Sequence, residues 1–132
     1  MAHVFSQTAS KSVKRITVLA ETANNSPING CDIFFYVDEI LAGGVVGCHG
    51  QAIIECPKDS SVTARVDVMG ESFLSSISEQ FDSRTDFEVR LQLEPQVMPS
   101  SWTTPEARCA DGTTGQPCVN CRVGSTTVRI CG

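Results

Sequence analysis

Apolar residues fall on every second position through the middle of the chain, and this spacing limits the fold more than any other feature does. Ile16, Val18 and Ala20 alternate with Thr17, Leu19 and Glu21, and Ile33, Phe35 and Val37 alternate with Asp32, Phe34, Tyr36 and Asp38. The same period recurs at Ala52-Ile54-Cys56, Val62-Ala64-Val66-Val68 and Phe87-Val89-Leu91-Leu93, with a weaker run over 72–78. Alternation of this kind marks half-buried strands, because successive side chains of a strand point to opposite faces. Turn formers separate the runs: Asn24-Asn25-Ser26-Pro27, Asn29-Gly30, Gly43-Gly44, Gly50, Pro57-Lys58-Asp59 and Gly70. No segment longer than about ten residues keeps a helical apolar stripe, so helices are minor. The pattern predicts an all-β fold, two antiparallel sheets packed face to face as a β-sandwich with the inward rows as its core.

Charge divides the chain into unequal parts. Residues 1–15 carry Lys11, Lys14 and Arg15 and no acid, whereas residues 16–94 carry thirteen acids against Lys58, Arg65, Arg84 and Arg90. The expected organisation is a basic N-terminal arm over 1–15, a sandwich over 16–94, a Pro-containing linker over 95–108 and a Cys-rich hairpin over 109–132. A basic arm on an acidic body is suited to docking on that body or on a neighbour's, and it also reads as a solvated terminus. Lys11, Lys14 and Arg15 are therefore interface candidates. Residues 2–8 lack the charged start and continuous apolar run of a secretory leader. The net charge of −5 argues against a nucleic-acid partner, and no apolar run approaches the roughly 18 residues of a membrane span.

The order of features is familiar. A strand at Ile16-Thr17-Val18 leads to Ser26-Pro27-Ile28-Asn29-Gly30 and directly into a hydrophobic strand ending Tyr36-Val37-Asp38. A glycine-containing loop follows, then Gly50-Gln51-Ala52-Ile53-Ile54, a turn at Pro57, a strand over 62–69, Gly70 and a closing strand over 87–93. Over residues 14–94 the chain resembles the carboxypeptidase regulatory-like domain, a transthyretin-like, seven-stranded sandwich of the Ig-like class. The resemblance implies a non-enzymatic module that folds, spaces or contacts partners, and it carries no catalytic residues.

Seven cysteines stand at 31, 48, 56, 109, 118, 121 and 131. An odd count leaves at least one thiol free or shared between chains. Cys31 and Cys56 are in phase with inward residues, as small buried hydrophobes or as an inter-sheet disulfide. Cys48 falls in the 39–50 loop and is an interface candidate. Near the end, Gly124-Ser125 between alternating residues is a two-residue hairpin signal of type II′. With that turn, Val123 pairs with Thr126 and Cys118 falls opposite Cys131 in a non-hydrogen-bonded pair, Cα atoms roughly 4.5 Å apart, within disulfide range. One face then holds Val119, Cys121, Val123, Val128 and Ile130, and Cys109 with Cys121 becomes the second candidate pair. The competing arrangement is zinc: Cys118-Val119-Asn120-Cys121 has knuckle spacing, and Cys109 and Cys131 would complete four thiolates. The two exclude each other, since a strand sends residues 118 and 121 to opposite faces.

Catalytic signatures are missing: there is no phosphate-binding loop, no dinucleotide fingerprint, no zinc-protease helix motif and no calcium loop. His49 follows Cys48, but adjacent side chains point apart and no third group orients them, so the pair reads as a polar loop tip. Trp102, within the Pro95–Pro99–Pro105 stretch, is either a partner anchor or a cap on the sandwich. The expected function is structural: a subunit that self-associates or decorates a larger particle or fibre through its arm, without cofactor. Cysteine usage favours an extracellular or particle-associated setting. The alternative is a zinc-binding interaction module.

Overall fold

The computed structural model describes residues 13–22, 27–28, 31–47, 50–68, 71–78, 86–93 and 105–132. The described chain is all strand and turn. Its strands are β1 (Val13–Thr22), β2 (Cys31–Val37), β3 (Ile40–Gly47), β4 (Gln51–Pro57), β5 (Ser61–Val68), β6 (Glu71–Ser78), β7 (Asp86–Leu93), β8 (Glu106–Cys109), β9 (Thr114–Gly115), β10 (Cys118–Val123) and β11 (Thr126–Cys131). They form a five-stranded sheet in the order β10-β11-β4-β1-β7 and a six-stranded sheet in the order β6-β5-β2-β3-β8-β9. Pairing is antiparallel except between β1 and β7, which run parallel. That exception follows from connectivity. β6 ends opposite the start of β5, at the end of the molecule where β1 begins, so a chain crossing there to the other sheet sets off in the direction of β1.

The alternation in the sequence becomes the burial pattern. Ile16, Val18, Ala20, Ile33, Phe35, Val37, Ala52, Ile54, Val62, Ala64 and Val66 are buried, and so are the inward residues Val119, Cys121, Val123, Val128 and Ile130 of the last hairpin. Each fully buried Ile, Val or Phe contributes roughly 1.5–3 kcal/mol, so two facing rows of them hold the sheets together.

Three boundaries differ from expectation. Strand β1 begins at Val13, inside the segment read as an arm, because Lys14 occupies the inward position opposite Cys56 that the period of two assigns to it. Strand β8 begins inside the segment read as a linker, where Ala107 and Cys109 alternate with exposed or half-buried neighbours. Residues 109–132 do not stand apart from the sandwich: β8 pairs with β3, and β11 pairs with β4 through Arg129–Glu55, Ile130–Ile54 and Cys131–Ile53. A lone hairpin cannot bury an apolar face, and this one lays its face onto the core.

The segment read as a loop over 39–50 is largely strand β3. The chain reverses at Asp38 and Glu39, which hold φ at 51° and 71°, the left-handed pair of a two-residue hairpin turn. Ser61 N donates to Asp38 Oδ1 at 3.1 Å and Asp38 N donates to Ser61 O at 2.8 Å, tying the turn to β5. The tandem glycines sit within β3, one toward each face. A Cβ at Gly43 would press on the Arg108 carbonyl, on Cys109 Cα at 2.9 Å and on Cys121 Sγ at 3.1 Å; one at Gly44 would meet the Phe34 ring at 2.7 Å. Gly43 makes room for sulfur inside the sandwich, and Gly44 makes room for an aromatic ring outside it.

Candidate functional site

Four of the cysteines form two disulfides with different roles. Cys118 and Cys131 face each other across the β10–β11 hairpin in the expected register, with a Cα–Cα distance of 4.1 Å. Gly124 alone of the turn pair has positive φ, at 63°, as a type II′ turn requires. This bridge locks a hairpin on the outer face. Cys109 and Cys121, 5.3 Å apart at Cα, belong to β8 of the six-stranded sheet and β10 of the five-stranded sheet. That bridge crosses the core and staples one sheet to the other. Because the four sulfurs are paired, and residues 118 and 121 lie on opposite faces of β10, the four-thiolate zinc arrangement does not form. Among the described residues no three His, Cys, Asp or Glu side chains gather as a metal site.

Cys31 and Cys56 are buried free thiols rather than a bridge. Cys31 Sγ donates to Ile28 O at 3.5 Å, and Ile28 N donates to Ala20 O, which places Cys31 where β1 ends. Cys56 lies opposite Lys14, where β1 begins. Six strand residues, roughly 20 Å, separate those levels, far beyond disulfide reach. Burial pushes the thiol of Cys31 up to about 11, with the backbone hydrogen bond opposing and Asp32 adding to the shift. Burial likewise raises Cys56 to about 11, opposed by Lys14 and assisted by Asp38. Neither is a nucleophile near neutral pH.

Of the interface candidates, Lys14 is 1% exposed and its ammonium donates to Ser60 O at 2.7 Å, so it serves the fold rather than a surface. Arg15 lies outside, its Nε 3.5 Å from Glu55 Oε2. Lys11, Cys48 and Trp102 fall outside the described residues.

The most distinctive surface is one that the sequence did not flag, the outer face of the six-stranded sheet. Register arranges it in three rows. Asp67, Asp32, Val46 and Glu106 lie side by side; next come Arg65, Phe34, Gly44 and Arg108; then Thr63, Tyr36 and Leu41. Acids thus form one row, arginines flank an aromatic in the second, and the third is mostly apolar. Arg65 is held in place: its guanidinium carbon lies 4.7 Å from the Phe34 ring centroid and 5.8 Å from that of Tyr36, and its Nη1 donates to the Tyr36 hydroxyl at 2.9 Å. Its Nε is 3.6 Å from Asp67 Oδ1 and makes no hydrogen bond. Two aromatic rings, a hydroxyl and a carboxylate therefore together hold this cation. Beside it, the missing side chain of Gly44 leaves a cleft of about 230 Å³ between Asp32, Phe34, Val46 and Arg108. Asp32 sits directly opposite Asp67, and its carboxyl is pushed up by burial and then by Asp67, with Arg108 opposing. Leu41 and Ile40 at the start of β3 are 39% and 54% exposed. One signal was available in the sequence: Phe34 and Tyr36 occupy outward positions, where a strand in a monomer ordinarily shows polar residues.

No protein-family model, no curated protein and no solved structure matches this chain. Its chemistry therefore rests on its own geometry. Among the described residues no helix is long and apolar enough to cross a membrane.

Proposed function

We propose that this chain is a non-enzymatic structural subunit, a cross-linked β-sandwich that takes its place in a larger particle, fibre or surface assembly. The Cys109–Cys121 bridge carries this reading, because it joins the two sheets covalently through the core. Each bridge closes a short loop and removes unfolded-state entropy on the order of 3 kcal/mol. Persistent disulfides of this kind belong to oxidising settings, outside the cell or on a particle. The strands β1–β7 over 13–93 number seven in two sheets, which supports the likeness to transthyretin-like modules, with β8–β11 as an addition of this chain's own. Strand β1 begins beside the start of β7 and the β4–β5 turn, and in this proposal the residues ahead of it, 1–12, contact neighbouring copies or another component of the assembly.

Sedimentation velocity over a concentration series, with the full chain and with residues 1–12 deleted, tests this. The expected result is concentration-dependent association that deletion weakens. A full chain that stays monomeric at high concentration, with deletion changing nothing, overturns it.

A further inference from the structure

The outer face of the six-stranded sheet combines three properties that a solvated face has no need of. It carries aromatic and arginine side chains, the residue types enriched at protein interfaces. It carries an internal electrostatic conflict: Asp32 and Asp67 stand directly opposite each other across β2 and β5, like charges that oppose each other, and Arg65 already offsets Asp67 at 3.6 Å, so Asp32 is the acid that a further cation would stabilise. Arg108, the cation best exposed on this face, is spent on a rim pair with Glu106 at 3.1 Å, with the two side chains 53% and 39% exposed, and such a pair contributes little. Asp32 and Arg108 lie on opposite sides of β3, one row apart. A twofold axis lying between two such faces and crossing β3 near Gly44 and Val46 brings each copy's Arg108 over the other's Asp32, twice, as an isologous interface requires.

Size agrees. The strand residues of this sheet, from eight in β5 down to two in β9, at about 3.3 Å each along strands about 4.8 Å apart, give a footprint on the order of 600 Å², and a standard interface removes about 800 Å² of accessible surface per partner. Projecting side chains supply the difference. We propose that a second copy of this chain packs face to face on this sheet, with Arg108 and Asp32 paired reciprocally between copies around the Gly44 cleft. Resting on the assembly reading above, this names a surface for it that is independent of the arm.

The test uses charge reversal in trans. Arg108→Glu alone sets Glu against Asp32 in both contacts, and Asp32→Arg alone sets Arg against Arg108 in both. Each homodimer should weaken by roughly tenfold or more. Mixing the two single variants makes both contacts complementary again, so the mixture should associate within a few fold of the unaltered protein by sedimentation velocity. Recovery on mixing cannot come from a folding defect in either variant. If both variants associate as the unaltered chain does, or if mixing recovers nothing, the proposal falls. Association abolished only by deleting residues 1–12 overturns this surface and leaves the arm reading standing, whereas no association of the unaltered chain overturns both.

Discussion

Glu39 holds φ at 71°, a conformation that costs a β-carbon residue about 1–2 kcal/mol, next to an aspartate that tolerates it better. Glu39→Gly relieves the strain at some cost in unfolded-state entropy. It should stabilise the fold by about 0.5–1 kcal/mol, read as an unfolding midpoint raised by about 2 °C. The buried thiols make a pH prediction. Cys31 and Cys56 have folded-state values near 11 against an ordinary 9.0, so folding favours the protonated form. Their contribution is fully present below about pH 9 and is lost as pH rises toward 11. Urea midpoints should fall across that window, and both thiols should resist alkylation at neutral pH until the protein is unfolded.

The two bridges invite comparison as elements, because they close loops of nearly equal length, with sequence separations of 12 and 13. The entropy removed from the unfolded chain is therefore almost the same, about 3 kcal/mol each. Replacing Cys118 and Cys131 with alanine should cost about that much. Replacing Cys109 and Cys121 should cost about 1–2 kcal/mol more, because Cys121 is fully buried and its removal adds a cavity beside Gly43. Equal losses in denaturant titrations would contradict the difference in burial. The last hairpin was legible in the sequence because three constraints agreed on one register: the Gly124-Ser125 turn, the alternation from Val119 to Ile130, and the placing of Cys118 opposite Cys131. Strand β3 was not legible, because paired glycines are a turn signal on their own, and only the contacts across the sandwich show that Gly43 clears sulfur and Gly44 clears Phe34. The interaction face was hidden for a related reason. Arg65 meets Phe34 through the pairing of β2 with β5, and no local pattern encodes that pairing.

At the scale of the whole molecule, the acidic body predicted from composition is real as a count of charges, but its meaning changes with position. Lys14, expected on a free arm, is consumed inside the fold, and Arg15 is paired with Glu55, so Lys11 is the remaining cation of the arm. The sandwich is also asymmetric. On one side, β8 and β10 are joined covalently through Cys109–Cys121; on the other, β6 and β7 are the edge strands. A molecule so arranged has its two layers joined covalently at the stapled side, and the proposed contact with a second copy uses the outer face of the six-stranded sheet. The measurement that bears most directly on this account is a disulfide map of the full chain, from peptides digested without reduction and identified by mass. It should recover Cys109 linked to Cys121 and Cys118 linked to Cys131, with Cys31 and Cys56 as thiols. Unlinked 109, 118, 121 and 131, or a link between Cys31 and Cys56, would contradict it.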